Sequence, residues 1–282
     1  MNFITTFTKE IYEICGKDLL QSFVNTGNDK EHKLYVFFEN EDDLYTEYYP
    51  DWLLKWKDNS SIVIANIMTY EYDNKRIVDF VDANLKTQIQ FTDEYSSPRS
   101  VKWFRPVAAM QYMNEITNED FCSIDSDCLF IKYLELSKVL HILKDCNVAY
   151  LGRESFKVMR HGGYDTNGTY VMTREVMATD KDTHTETGFL AFNKSMEGTK
   201  EFIFNNFNYW VSGDVLELKY KTDCHTFDAV KNKMKLKYNN LCAHCGEISP
   251  IGSRVLEASE MGEYMIHHKG TIGPILYQKN KL

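Results

Sequence analysis

The sequence lacks long apolar runs and lacks an excess of positive charge. No stretch approaches the ~20 apolar residues that a membrane-spanning helix needs, so we expect no stable membrane association. Asp and Glu total 41 against 32 for Lys and Arg, which gives a formal net charge of −9. The molecule as a whole therefore does not present the field of a nonspecific nucleic-acid binder, although a local basic surface is not excluded.

Common nucleotide and zinc signatures are also missing. The glycine-rich segment 160–168 matches neither a Walker loop nor a Rossmann fingerprint, and we interpret it as a turn-rich loop that could close over a site. Cys242 and Cys245 form a single C-x-x-C without a second pair, and Cys224 with His225 would be needed to complete a structural zinc site. The seven cysteines are odd in number and scattered, and no signal peptide precedes the first predicted strand. We therefore expect a reducing cytoplasm.

The apolar residues that are present predict an α/β fold. Hydrophobic residues make up 43% of the chain and aromatic residues 14%, enough for a sizeable core. Residues 2–7 predict a buried strand, Thr8 an N-cap for the following helix, and residues 34–38 a second strand that ends at Glu39. A strand, a helix and a parallel strand open a nucleotide-binding sheet, which we expect to continue with a third strand at 62–65.

The segment 121–130 carries the strongest functional signal. Its apolar residues predict a buried strand, and Asp125 and Asp127 lie one residue apart where that strand ends. Two carboxylates at the carboxyl end of a parallel strand can bind a hard cation and the phosphates that the cation carries. The alternative is an ordinary turn or helix cap, which also uses Asp. We interpret the pair as a metal-diphosphate site.

The remaining segments alternate between predicted helices and strands. A helix is expected just before the acidic strand, in the segment that begins with Lys102 and Arg105. The guanidinium of Arg105 suits bidentate phosphate binding. Trp52 and Trp56 form a helical stripe that predicts core packing. Further helices are expected over 134–143, 194–210 and from about 221, and a strand over 148–151.

Two later motifs, together with the acidic pair, resemble the nucleotide-sugar glycosyltransferases of the GT-A type. Residues 185–193 are similar to the small-residue turn and apolar strand ending in Asn that lies beneath the acceptor in these enzymes. Residues 266–274 resemble the carboxy-terminal H-x-x-G-x-x-K-P element of retaining enzymes of the glycogenin and galactosyltransferase-C type. The chain departs from that element at Gly273, where the family has a phosphate-binding lysine.

The resemblance implies a set of site residues. The metal ligands would be Asp125, Asp127 and His267, with His268 as a rival if the register shifts by one, and the ion Mn²⁺ or Mg²⁺. The catalytic candidates are Glu186 and Asp223, with His225 as an accessory; Asp223 could equally be an N-cap. The candidates for donor binding are Thr5, Thr6, Phe7, Glu39, Lys102, Arg105, Gly188, Lys269 and Gly270.

The sequence thus predicts one GT-A-like, Rossmann-type sheet flanked by helices. We expect a single domain over 1–282, with the donor nucleotide bound by about 1–130 and the acceptor-binding part and metal-binding tail in about 131–282. The expected activity is sugar transfer from a nucleoside diphosphate sugar, a UDP-sugar first of all, with a leaning toward retention. Hydroxymethylcytosine in phage DNA, which would put the protein in a host cytoplasm, or a surface glycan is the expected acceptor. The alternatives are a nucleotidyltransferase of related fold, although no G-x-G-x-R-like segment follows the first strand, and a catalytically silent nucleotide-binding module. The oligomeric state is not predicted.

Overall fold

The computed structural model describes residues 1–38, 50–66, 101–164, 170–177, 185–218, 222–246 and 255–267, with backbone alone at 66, 101–103, 159–164, 170–177 and 216. Its strands are β1 (Asn2–Phe7), β2 (Lys33–Phe38), β3 (Ile62–Asn66), β4 (Phe121–Ile124), β5 (Cys128–Phe130), β6 (Val148–Gly152), β7 (Val158–Tyr164), β8 (Tyr170–Met177), β9 (Thr185–Phe192), β10 (Tyr238–Asn240) and β11 (Met265–His267). Its α-helices are α1 (Lys9–Ile11), α2 (Lys17–Asn25), α3 (Val101–Ile116), α4 (Leu136–Ile142), α5 (Thr199–Val211), α6 (Asp223–Lys233) and α7 (Val255–Ala258).

A seven-stranded sheet in the order β10-β6-β9-β4-β1-β2-β3 forms the centre of the fold. β1 pairs in parallel with both β2 and β4, β2 with β3, and β6 with β10. β9 runs antiparallel between β4 and β6. The predicted mixed α/β fold with helices flanking one central sheet is therefore confirmed. The parallel strands β1, β2 and β4 end at the same edge of the sheet, where polar side chains can leave the core.

Both faces of the sheet are covered. On one face, Leu20 and Phe23 of α2 are fully buried in one cluster with Phe3 and Phe7 of β1, and the Phe23 ring lies 5.4 Å from that of Phe130 on β5. On the other face α3, α5 and α6 pack on the sheet through an aromatic cluster that includes Phe104, Phe207 and Trp210. Full burial of each large apolar side chain contributes roughly 1.5–3 kcal/mol, so these two layers fix the position of the sheet edge.

Local polar contacts set where several helices begin and end. Thr8 Oγ1 accepts a hydrogen bond from the backbone N of Ile11 at 3.3 Å, which confirms the predicted cap. A π-helical turn, Tyr12–Gly16, joins α1 to α2. At the carboxyl end of α3, the buried ammonium of Lys194 donates to carbonyl oxygens that the helix leaves without intrahelical partners, including that of Asn114 at 2.6 Å.

Two sequence-based expectations are corrected by the structure, and a third is confirmed in its packing. The segment 160–168 was expected to be a loop, but β7 continues through Tyr164 and pairs with β8 as an antiparallel hairpin, with a register shift between His161 and Gly162. Glycine tolerates such a bulge, so a glycine pair inside a strand resembles a turn in the sequence. Trp52 and Trp56 lie in a 3-10 helix, Asp51–Trp56, although both contact the core as expected. The helix expected over 194–210 begins at Thr199.

Within the described ranges, no helix combines the length and the apolar character that crossing a bilayer would require.

Candidate active site

The two aspartates lie in a tight turn at the carboxyl end of β4. The backbone N of Asp125 donates to the carbonyl of Gly188 on β9 at 3.1 Å, and the backbone N of Cys128 donates to the carbonyl of Asp125 at 3.1 Å. These bonds leave both carboxylates partly open: the side chains of Asp125 and Asp127 are 34% and 25% exposed. The turn therefore presents two acids to solvent at the sheet edge.

His267 reaches this turn from the far end of the described chain. β11 pairs antiparallel with β5, which puts His267 opposite Cys128. Its Nε2 lies 2.8 Å from Oδ1 of Asp127 and 3.3 Å from Oδ2 of Asp125, while its side chain is only 1% exposed. The backbone N of His267 donates to Oε1 of Glu257 on α7 at 3.0 Å, a contact that fixes the end of β11.

The donor atoms in this cluster suit a divalent cation. One ligand atom each from Asp125, Glu186 and His267 lie within 4.8 Å of one another, and the same holds for Asp127, Cys128 and His267. Carboxylate oxygens and an imidazole nitrogen suit ions such as Mn²⁺. The Cys128 thiol donates to the carbonyl of Gly188 at 3.4 Å, and burial raises its pKa well above the usual range, so it stays protonated. The carboxylates and the imidazole fit the metal that the sequence predicts.

Gly188 forms the floor of the cluster. A Cβ at this position would lie 2.9 Å from Cε1 of His267 and 3.5 Å from Oδ2 of Asp125. Because real Cβ atoms essentially never come within 3.0 Å of another heavy atom in this way, a side chain here would displace the imidazole. The glycine therefore serves close packing between β9 and the cluster.

Glu186 lies inside the fold and forms a buried ion pair. It is 3% exposed and lies in β9, so it is not a surface residue preceding the strand. The guanidinium of Arg153, in the turn after β6, donates to its Oε2. Burial works against the charge of Arg153, but the attraction of Glu186 together with that of Cys224 and Asp228 outweighs this cost, so the pKa of Arg153 is raised. Sequence reasoning missed Arg153, because nothing near it in the chain indicates its partner.

Asp223 is buried beside the same cluster. Thr222 caps α6, its Oγ1 accepting from the backbone N of His225 at 3.5 Å, so Asp223 is the first helical residue and not the N-cap. Thr187 Oγ1 donates to Oδ2 of Asp223 at 2.7 Å. Burial, followed by the negative charge of Asp125, raises the pKa of Asp223 to about 7. Nδ1 of His225 lies 2.8 Å from Thr222 Oγ1, so this histidine contacts the residue that caps α6.

The predicted donor-binding residues differ in their burial, and several lie outside the described residues. Thr5 is buried and, within the described residues, its Oγ1 has no hydrogen-bond partner, whereas Thr6 is half-buried. Phe7 is fully buried and its ring packs against Tyr12 and Trp52 in the core. Glu39, Lys269, Gly270, the rival ligand His268 and the side chain of Lys102 lie outside the described part.

Arg105 lies in the amino-terminal part of α3 and is half-buried. Because α3 packs on the sheet and leads directly into β4, it runs antiparallel to β4. Its amino-terminal end is therefore directed toward the edge of the sheet that carries Asp125.

The cysteines of the C-x-x-C contact α7. Cys242 Sγ donates to the carbonyl of Val255 at 3.6 Å and Cys245 Sγ to that of Ala258 at 2.8 Å, both on α7. Cys224 contacts Thr187 Oγ1 at 3.2 Å, beside the acidic cluster. Neither Cys242 nor Cys245 belongs to a group of possible metal ligands in the described chain.

Comparison with known proteins gives a match at the level of fold. No protein-family model and no curated protein sequence matches the chain. Among solved structures, an active-site mutant of the galactosyltransferase LgtC superposes with a TM-score of 0.51 at 12% identity, over 97% of this chain and 89% of that one. The fold is therefore that of the GT-A glycosyltransferases.

Two further structural neighbours are also glycosyltransferases. Mouse xyloside xylosyltransferase 1 matches with a TM-score of 0.48 at 11% identity, over 86% of this chain and 85% of that one. The bifunctional enzyme WbbM matches with a TM-score of 0.47 at 13% identity, over 86% of this chain. The chain spans only 38% of the length of WbbM.

Proposed function

We propose that this chain is a metal-dependent glycosyltransferase that moves a sugar from a nucleoside diphosphate sugar, first of all a UDP-sugar, to an acceptor hydroxyl. The observation that carries the proposal is the convergence of His267 Nε2 with Oδ1 of Asp127 and Oδ2 of Asp125, at 2.8 Å and 3.3 Å, at the sheet edge of a GT-A fold. Ligands in parallel-stranded sheets bind at that edge.

Asp125, Asp127 and His267 would hold the ion, Mn²⁺ or Mg²⁺. When bound, the cation supplies Lewis acidity that stabilises negative charge on the leaving diphosphate. The residues themselves set where it binds: the imidazole is held by the β5–β11 pairing and the carboxylates by the turn after β4. Arg105, with Lys102 as second choice, would contact phosphate or sugar from α3.

Glu186 and Asp223 would position the acceptor and the transferred sugar. Both are buried and both lie near Asp125. Glu186 has a carboxylate oxygen within 4.8 Å of a carboxylate oxygen of Asp125, and the negative charge of Asp125 contributes to the raised pKa of Asp223. A carboxylate with a pKa of about 7 can accept a proton from a hydroxyl group near neutral pH. Glu186, held by Arg153, offers fixed acceptor oxygens to sugar hydroxyls.

The division of the chain follows from the same proposal. Residues 1–130 would bind the nucleotide through the ends of β1 and β2, with Thr5, Thr6 and the segment that follows Phe38 as the donor side. Residues 131–282 would supply the acceptor face and the metal-binding tail. The acceptor is a glycan or hydroxymethylcytosine in DNA, and the net charge of −9 favours the glycan because DNA would be repelled.

The test is release of nucleoside diphosphate from a panel of UDP-sugars in the presence of Mn²⁺, with oligosaccharide and hydroxymethylcytosine-containing DNA as the two acceptor arms. We expect UDP release to require both Mn²⁺ and acceptor. Each of the substitutions Asp125→Asn, Asp127→Asn and His267→Ala should reduce the rate of UDP release by on the order of 100-fold or more. Asp214→Asn, an exposed acid remote in the chain, is the matched control and should retain activity.

Three outcomes would contradict the proposal. Pyrophosphate release from a nucleoside triphosphate would indicate a nucleotidyltransferase, and the absence of any metal-dependent nucleotide binding would indicate a silent module. Transfer that survives the double substitution of Asp125 and Asp127 would remove the assigned metal site. In a working assay, the anomeric configuration of the product, read by NMR, tests the expected retention.

A further inference from the structure

In the described part of the chain, the site contains four acidic side chains and an arginine that is ion-paired with one of them. Asp125, Asp127, Glu186 and Asp223 lie around one edge of the sheet, and Arg153 is joined to this group by its ion pair with Glu186. The pair is well buried, with side-chain exposures of 15% for Arg153 and 4% for Glu186. Charge-assisted hydrogen bonds of this kind are strong where water is excluded.

Glu186 is close enough to bind the cation itself. One of its carboxylate oxygens lies within 4.8 Å of a ligand atom of Asp125 and of a ligand atom of His267. His267 Nε2 itself lies 3.3 Å from Oδ2 of Asp125. A carboxylate that is free to turn would therefore be expected to join the ion as a further ligand. Arg153 opposes this in two ways, because it already holds an oxygen of Glu186 and because its positive charge repels a divalent ion.

We propose that Arg153 is a positioning residue that withholds Glu186 from the metal ion and keeps its carboxylate oriented for the substrate. The inference rests on the proposed function. Arg153 thus weakens metal binding while it fixes the acceptor oxygens of Glu186 for sugar hydroxyls. The arrangement divides the acids into two groups: Asp125 and Asp127 for the ion, and Glu186 for the sugar.

The test compares Mn²⁺ affinity, measured by electron paramagnetic resonance or calorimetry, in the wild-type protein and in Arg153→Met. We expect Arg153→Met to bind Mn²⁺ more tightly, on the order of tenfold, because Glu186 becomes free to coordinate. Arg153→Lys, which keeps the charge, should restore an affinity close to wild type. In the Glu186→Gln background, the gain on adding Arg153→Met should fall below about threefold, because the extra ligand is gone.

Transfer kinetics provide a second readout in the same variants. Arg153→Met should lower kcat while metal affinity rises, a split that simple loss of structure would not produce. Lys138→Met is the matched control: it removes a partly buried lysine whose ion pair, within the described part of the chain, is with Glu260 at 2.9 Å and not with an acid of the site. It should leave Mn²⁺ affinity unchanged.

Two results would overturn the inference. One is an unchanged or weaker Mn²⁺ affinity in a folded Arg153→Met protein, with folding checked by circular dichroism. The other is a tenfold gain in Mn²⁺ affinity when Arg153→Met is added to Glu186→Gln, which would mean that Arg153 acts by charge repulsion alone. If Arg153→Met by itself does not fold, this comparison decides the question, because the double variant leaves no unpaired buried charge. If the wild-type protein binds no Mn²⁺, it is the proposed function that fails.

Discussion

The imidazole of His267 lies against the backbone of Gly188 so closely that a Cβ on this glycine would stand 2.9 Å from Cε1. The proposed metal ligand His267 and strand β9 are therefore in direct contact. Gly188→Ala should push the ring away from Asp125 and Asp127 and weaken Mn²⁺ binding, by about tenfold, with a loss of stability of roughly 1–3 kcal/mol. Calorimetric titration with Mn²⁺ measures the first effect and urea unfolding the second.

Gly246→Ala is the control for that substitution, because a Cβ at Gly246 would meet no atom within 4 Å among the described residues. It should leave both quantities unchanged. Wild-type Mn²⁺ affinity in Gly188→Ala would show that the ring can shift without loss, and that its contact with the glycine does not set the ligand geometry.

Glu257 should tune metal binding without contacting the metal. Its Oε1 accepts from the backbone N of His267 at 3.0 Å and so ties α7 to β11. Contacts of this kind around a metal ligand are typically worth 10- to 100-fold in affinity, and we expect Glu257→Ala to weaken Mn²⁺ binding by about tenfold. Glu260→Ala, which removes an exposed carboxylate nearby in the chain, should have no effect on the same titration.

The stability of the metal-free protein should fall as pH rises through neutrality. Asp223 has its pKa raised from about 4 in the unfolded chain to about 7 in the fold. A raised folded-state pKa means that the stability contribution is fully present below pH 4 and is lost as pH rises toward 7. Asp223→Asn, which is neutral at every pH, should therefore be more stable than wild type at pH 8, by roughly 3–4 kcal/mol, and nearly equal at pH 4.

Urea unfolding in the presence of a chelator at several pH values checks this difference. Because the other titrating groups are common to both proteins, the comparison isolates Asp223. Parallel stability curves for the two proteins across that pH range would contradict the assigned burial of the carboxylate.

Lys194 should stabilise the fold by ending α3. Its buried ammonium donates to the carbonyls of Met113 at 3.2 Å, Asn114 at 2.6 Å and Thr117. Lys194→Met leaves these carbonyls without that donor and should lower the free energy of unfolding by about 1–3 kcal/mol. Lys200→Met, which removes an exposed lysine bonded to Asn118, should change it by less than about 0.5 kcal/mol in the same denaturant series.

Thiol reactivity reports on the packing of the whole chain. All seven cysteines are free, six are buried, and Cys245 is the half-buried one. A thiol reagent should therefore modify Cys245 first in the native protein and all seven after denaturation. Fast labelling of Cys15, whose pKa burial raises to about 12 beside Asp127, would contradict the packing of the π-helical turn.

The parts of the fold that sequence predicted best are those governed by local pattern. The short, mostly apolar segments of β1, β2 and β4 favour buried strands, and Thr8 before a helical pattern marks a cap. β5 and β11 escaped prediction because each has only three residues and exists through pairing with the other. β7 was mistaken for a loop because glycine at a bulge and glycine at a turn give the same sequence signal.

The site residues also differ in how far local sequence could identify them. Asp125 and Asp127 are separated by one residue at the end of a recognisable strand, so residue type and position were enough to single them out. The contact between His267 and these acids was expected only from a family resemblance, and Arg153 was not found, because its pairing with Glu186 depends on how β6 and β9 lie side by side. Asp223 could not be separated from a cap until Thr222 was seen to occupy that role.

The β5–β11 pairing has a consequence for folding. It joins segments separated by about half of the chain, so the imidazole meets the aspartates only after most of the intervening polypeptide is ordered, and the entropy of closing that loop opposes the encounter. An ion bound there would cross-link distant parts of the polypeptide. Chelation should then accelerate unfolding and expose β11 to proteases before the central sheet opens.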